Sequence, residues 1–108
     1  MAKEGKHVVF KDVAVEALGN GFFGRNLVET DGVELTYVTG DAGAGHDAHL
    51  HDDLDEILIF LEGGADFKLG DDSLAVRAGS LIYAPSGVPH GVRYTAPSKV
   101  LQLKMPQK

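Results

Sequence analysis

The sequence contains no cysteine. Disulfide bonds and thiolate-bound metals are therefore excluded, and nothing indicates an oxidising compartment. A long apolar run is also missing from the N-terminus, which is charged, so we expect neither a secretory signal nor a membrane span. Sixteen acidic against ten basic residues give a net charge of −6, which argues against nucleic acid or an anionic membrane as a partner. We expect a cytoplasmic protein whose partner is a small molecule.

The chain has no linker, no low-complexity stretch and no clear repeat, and its 108 residues predict a single domain over residues 1–108. Fourteen glycines separate short runs of strand-forming residues, and no helical period is evident. This pattern predicts an all-β sandwich or closed barrel. Strands are expected at residues 7–10, 13–18, 21–29, 33–39, 44–51, 55–62, 65–69, 73–77, 80–84, 91–95 and 99–105.

Three histidines and a glutamate have spacings that suit a metal site. His49 and His51 are two residues apart, so in an extended segment their side chains project from the same face. Glu56 stands near the start of an apolar run, where a carboxylate is costly to bury alone and coordination to a cation offsets the cost. His90 follows the segment Pro85-Ser86-Gly87-Val88-Pro89, which predicts a rigid turn.

Asp55 competes with Glu56 as the carboxylate ligand. Adjacent residues of a strand point to opposite faces, so only one of the two can face a metal. We favour Glu56, because its face continues with the apolar residues Leu58 and Phe60. Phe60 is then a candidate wall of the pocket, although a barrel core requires such residues in any case.

Other polar residues have weaker claims to the site. His46 lies three residues before His49 and could add a ligand, but it could equally be a solvated loop residue. Arg25 would indicate an acidic ligand if it were buried, although exposed arginines are commoner. The inward or outward direction of Arg25 and Tyr37 stays open, and His7 is expected at the surface.

Two runs of this sequence resemble the two motifs of the cupin superfamily. The first is Gly43-x5-His49-x-His51-x4-Glu56-x6-Gly63, and the second is Gly79-x5-Pro85-x-Gly87-x2-His90. The resemblance implies a double-stranded β-helix, or jelly roll, with the ligands pointing into one end of the barrel. It also implies metal ligation by His49, His51, Glu56 and His90.

Tyr94 is the main departure from the family pattern, which often has an asparagine four residues after the last histidine. His90, Val92 and Tyr94 share one face of their run, so we expect Tyr94 deeper in the barrel. Its hydroxyl could donate a hydrogen bond to a ligand of the metal or act as a general acid in catalysis. A purely structural tyrosine of the core is an equal alternative.

Three imidazoles and one carboxylate suit one divalent transition-metal ion, namely iron, manganese, nickel, cobalt or zinc, with copper possible, and do not suit calcium or magnesium. We expect a metal-dependent enzyme of the dioxygenase, decarboxylase or isomerase type that acts on a small oxygenated or carbonyl compound. The alternative is a barrel that binds a small ligand or a metal without catalysis. The resemblance also implies a homodimer, which would cover the edge strands.

Overall fold

The computed structural model describes residues 5–106, and residues 1–4 of the charged N-terminus and 107–108 lie outside this range. Within residues 5–106, a single 3-10 turn, Phe10–Asp12, precedes ten β-strands. No helix within residues 5–106 has the length and apolar character needed to span a membrane. The strands are β1 Glu16–Gly19, β2 Phe22–Glu29, β3 Glu34–Gly40, β4 Gly45–His49, β5 Leu54–Glu62, β6 Gly64–Leu69, β7 Asp72–Arg77, β8 Leu81–Ala84, β9 His90–Tyr94 and β10 Ser98–Pro106.

The strands form two antiparallel sheets. The six-stranded sheet has the order β1-β2-β3-β10-β5-β8, and the four-stranded sheet has the order β4-β9-β6-β7. Neighbours such as β3 and β10 are far apart in the sequence, so the chain crosses repeatedly between the sheets. The architecture confirms the predicted all-β jelly-roll barrel.

The inner face of the six-stranded sheet changes from apolar to polar along its strands. Val100 is fully buried and pairs with Val38 on one side and Phe60 on the other. Two residues further along β10, Gln102 stands in register with polar Thr36 and apolar Leu58. The next inward row holds three charged residues in register, Glu34, Lys104 and Glu56. The core therefore lies at one end of the barrel and the polar mouth at the other.

The predicted strand over residues 7–10 is wrong. This segment pairs with none of the ten described strands, and Phe10–Asp12 forms the 3-10 turn instead. Its backbone is held by the Arg25 guanidinium, which donates hydrogen bonds to the carbonyl oxygens of Phe10, Lys11 and Val13. The ring of Phe10 also packs against Tyr37, with 4.9 Å between ring centroids. Strand propensity alone did not form a strand here, because a strand requires a partner.

Candidate metal centre

Three histidines converge at the mouth of the barrel. His49, His51 and His90 each offer one ring nitrogen, and these nitrogens all lie within 4.8 Å of one another, close enough to bind one metal ion. The Nε2 atoms of His49 and His51 are 3.2 Å apart. Two lone pairs cannot face each other at this distance without a shared proton or a cation between them. The donor set therefore suits a cation.

The strand geometry behind the His49 and His51 pair differs in part from the prediction. The strand was expected to extend through His51, but β4 ends at His49, and His51 lies in the connection to β5. The pairing of β4 with β9 shifts register between His46 and His49, which sets His49 directly opposite His90. The two histidines meet because an irregular strand end turns both rings toward the mouth.

The turn at Pro85–Pro89 ties the two motif regions together. The Gly87 amide donates a hydrogen bond of 2.7 Å to the carbonyl oxygen of His51. Gly87 has a φ of 81°, a conformation that glycine adopts without strain. One residue earlier, the Ser86 amide donates a hydrogen bond of 2.8 Å to the Asp55 carboxylate. These two bonds fix the segment that carries His51 and Glu56 against the segment that leads to His90.

Glu56, and not Asp55, faces the histidines. Its side chain is buried, and Oε1 lies 3.4 Å from His51 Nε2 and 3.6 Å from His90 Nε2. Within residues 5–106 this oxygen has no partner at hydrogen-bonding geometry. A buried carboxylate oxygen without a hydrogen bond is costly, and a cation bound between it and the imidazoles would remove that cost. The residues present therefore fit a metal ion.

The electrostatics of the cluster keep Glu56 ionised and His49 neutral. Burial raises the pKa of Glu56, but His90, Lys104 and His51 lower it, and the net effect is a lowered value. Partial burial and the neighbouring imidazoles of His46, His90 and His51 lower the pKa of His49. An ionised carboxylate and a neutral imidazole are the forms that bind a metal.

His90 is buried and held from two sides. Its Nδ1 lies 3.4 Å from the carbonyl oxygen of Val88, and the ring of Phe67 stacks parallel to it with 6.3 Å between centroids. This contact directs Nε2 toward Glu56, the orientation expected of a histidine ligand whose other nitrogen binds a backbone carbonyl. The contact with Glu56 raises the pKa of His90 against the opposing effect of burial.

Tyr94 lies deeper in the barrel, as predicted from the alternation of β9. It is buried, and its ring packs edge-to-face on Phe22 and Phe60, with centroid distances of 5.1 and 6.1 Å. Burial raises the pKa of its hydroxyl. Within the described chain this hydroxyl has no hydrogen-bond partner, and Tyr94 lines the same cavity as the three histidines. Its hydroxyl therefore stays protonated and keeps a proton to donate in a hydrogen bond.

The cavity has a volume of about 310 Å³. Apolar side chains from both sheets form much of its wall, among them Phe22, Leu58 and Val92. Five polar residues of this wall were not predicted from the sequence, although the alternation of Val100, Gln102 and Lys104 along β10 could have indicated two of them. The five residues are Asn20, Glu34, Thr36, Gln102 and Lys104.

The weaker sequence candidates take other positions. His46 lines the cavity beside His49, with 4.3 Å between ring centroids, but its Nδ1 is 2.8 Å from the Asp47 carbonyl oxygen and it is not in the three-histidine group. Phe60 lies in the core below the cavity and does not form its wall. Arg25 lies outside the cavity, and His7 is exposed, as expected.

Comparison with known proteins agrees with the fold. The model of the cupin domain family matches residues 36–103. No curated protein is significantly similar to the chain. Among solved structures, a KdgF from Halomonas sp. superposes with a TM-score of 0.90 at 22% identity, with 97% of this chain and 96% of that chain covered.

Two further structures show the same fold. An RmlC-like cupin from Shewanella frigidimarina has a TM-score of 0.88 at 18% identity, with 100% of this chain and 96% of that chain covered. A predicted oxalate decarboxylase from Thermotoga maritima has a TM-score of 0.86 at 16% identity, with 94% and 99% covered. The two motifs, the jelly roll and the family match over most of the barrel together show that this chain belongs to the cupin domain family.

Proposed function

We propose that this chain is a metal-dependent cupin that binds one divalent transition-metal ion and acts on a small oxygenated or carbonyl compound. The proposed ligands are His49, His51, Glu56 and His90. The observation that carries the proposal is the convergence of three ring nitrogens within 4.8 Å of one another. Two of these histidines, His51 and His90, lie 3.4 and 3.6 Å from a buried oxygen of Glu56 that lacks a hydrogen bond.

Three imidazoles and one carboxylate favour iron, manganese, nickel, cobalt or zinc. Such an ion supplies Lewis acidity toward a carbonyl or hydroxyl oxygen of the substrate. The protein's own residues would bind and orient that substrate in the cavity. Tyr94 is the proposed hydrogen-bond donor, because it lines the cavity and its hydroxyl is protonated and has no partner within the described chain.

Three types of reaction fit the proposed metal centre. Decarboxylase, dioxygenase and isomerase chemistry all use a metal and a small oxygenated substrate, and a likeness to a predicted oxalate decarboxylase at 16% identity supports the fold alone. The alternative function is a barrel that holds a small ligand without catalysis. Oxygen consumption by the iron-loaded protein on a panel of catechols, diketones and enediols would distinguish a dioxygenase from a binding protein. The homodimer and the cytoplasmic location stay predictions from the sequence.

The first test is elemental analysis of protein purified without added metal or a histidine tag. We expect about one equivalent of a transition metal per chain, because four ligands define one site. His90→Ala should lose that metal, since the variant removes the buried imidazole that faces both His49 and Glu56. Wild-type protein that is empty and also refuses added metal would contradict the proposed function.

A further inference from the structure

One cationic side chain faces the same cavity as the histidines. Alternation along β10 puts Val100, Gln102 and Lys104 on the inner face of the six-stranded sheet. Val100 is fully buried in the hydrophobic core, whereas Gln102 and Lys104 line the cavity. A lysine at an inward position of a barrel strand is unusual, because its ammonium group must keep water or a charged partner.

Lys104 is flanked by carboxylates without being paired to either. Its cross-strand neighbours are Glu34 on β3 and Glu56 on β5. Within residues 5–106, however, no carboxylate oxygen lies within 4.0 Å of Lys104 Nζ. By contrast, Lys99 on the outer face of the same strand pairs with Glu62 at 3.2 Å. Lys104 nevertheless lines the same cavity as Glu56 and His90, and its charge lowers the pKa of both groups.

Once a metal is bound, the charges at the mouth would add up to a net positive charge, which suits an anion. Glu34 and Glu56 carry one negative charge each, Lys104 carries one positive charge, and the histidines are neutral when they bind a metal. A divalent ion would therefore leave this end of the cavity with one net positive charge. A ligand with a single carboxylate would neutralise it, and in a cavity with apolar walls an ionic hydrogen bond is stronger than at the surface.

From this arrangement we propose that the ligand of the site is a small monocarboxylic acid that also carries a carbonyl or hydroxyl oxygen, and that Lys104 determines this specificity by binding the carboxylate. The inference rests on the proposed function, because the metal supplies part of the positive charge. The cavity volume of about 310 Å³ limits the ligand to a small molecule. Gln102 and Thr36, which stand beside Lys104 in the neighbouring row, offer further polar contacts to the same ligand.

The test compares acids with their uncharged esters on metal-loaded protein. The probes are glycolate, pyruvate and phenylglyoxylate, each paired with its methyl ester, and binding is measured by isothermal titration calorimetry. We expect the wild type to bind at least one of the acids about 10-fold or more tightly than its ester. A metal ion alone could also prefer an acid, so the variants at Lys104 are needed to assign the preference.

Lys104→Met removes the charge and keeps the length of the side chain. We expect it to weaken acid binding about 10- to 100-fold and to leave ester binding unchanged. Lys104→Arg should retain most of the preference for the acid. Lys99→Met is the matched control, because it removes the same charge from the outer face of the same strand, and it should bind both probes as the wild type does.

Metal content, measured on every variant, separates the two proposals. A wild type that takes up no metal would overturn the proposed function. A metal-loaded wild type that binds none of the acids better than its ester would overturn only the assignment of the ligand class. Lys104→Met that keeps its metal and the full preference for the acid would overturn the role of Lys104.

Discussion

Glu56 and His90 belong to different sheets and meet across the mouth of the barrel, with 3.6 Å between Glu56 Oε1 and His90 Nε2. The contact raises the pKa of His90 above 6.5, and it contributes to lowering the pKa of Glu56 below 4.5 although burial opposes this. In metal-free protein the two residues therefore form an ion pair at mildly acidic pH. The same side chains would be a carboxylate and a neutral imidazole when a metal is bound.

The stability of the metal-free protein should depend on pH through the protonation of this pair. The stabilisation from His90 is present below pH 6.5 and is lost as pH rises through its raised pKa. The stabilisation from Glu56 is present above pH 4.5 and is lost as pH falls through its lowered pKa. Relative to Glu56→Gln, the wild type should therefore be most stable between these values. At higher pH it should lose that advantage, because a buried carboxylate then faces a neutral histidine.

Urea unfolding with a chelator present, at about pH 5.5 and about pH 8.5, measures this difference. Glu62→Gln is the control, because it removes an exposed carboxylate from the same strand, and its effect should not depend on pH in this range. If the difference in unfolding free energy between wild type and Glu56→Gln were equal at the two pH values, the pairing of Glu56 with His90 would not stabilise the protein in a pH-dependent way.

The affinity for the metal should depend strongly on His49 and only weakly on His46, although the two rings are in contact. His49 belongs to the group of three converging nitrogens, whereas His46 does not. Changes to residues that only support a metal ligand typically cost about 10- to 100-fold in affinity, and loss of a ligand should cost more. We therefore expect His49→Ala to lower zinc affinity more than about 100-fold, and His46→Ala to lower it less than about 10-fold, in a competition assay with a chromogenic chelator. Equal losses in the two variants would make His46 a ligand.

Gly45 allows β4 to approach β9 closely enough to bring His49 opposite His90. A Cβ atom on Gly45 would overlap the carbonyl oxygen of Val92 and lie 2.8 Å from Cα of Arg93. Gly45→Ala should therefore push β4 outward, destabilise the protein by about 1–3 kcal/mol and weaken metal binding. Gly32→Ala is the control, because a Cβ there would have no heavy atom within 4 Å. Thermal unfolding and metal titration of both variants check the prediction, which fails if Gly45→Ala behaves like Gly32→Ala.

The sequence predicted most strands because their limits coincide with local turn signals. The turn between β6 and β7, for example, consists of Gly70 and Asp71, which are residue types that favour turns. The structure also brings His49, His51, Glu56 and His90 together as their local spacing indicates, and their ligation of a metal stays a prediction. The choice between Asp55 and Glu56 needed only the alternation of a strand, and the structure agrees with it.

The remaining features depend on which strands become neighbours, and no local pattern contains that information. The inward direction of Lys104 follows from alternation once Val100 is known to be buried, but its position beside Glu56 requires the pairing of β10 with β5. The end of β4 at His49 likewise results from a register shift against β9. Arg25 was a candidate cation for an acidic ligand. Only the fold shows that it lies outside the cavity and that its guanidinium binds the N-terminal segment.

We therefore expect Arg25 to stabilise the N-terminal segment and not to bind the ligand. Its guanidinium donates to three backbone carbonyl oxygens, and the segment itself contains two turn hydrogen bonds, from the amides of Asp12 and Val13. Arg25→Met should remove the side-chain bonds, lower the unfolding free energy by about 1–2 kcal/mol and speed hydrogen exchange at these two amides. Arg77→Met, at an exposed position of β7, is the control. Metal content and acid binding should stay at the wild-type level in both variants, because Arg25 lies outside the cavity. Loss of acid binding in Arg25→Met without faster exchange at Asp12 and Val13 would instead return Arg25 to the ligand site and remove the reason to assign the carboxylate to Lys104.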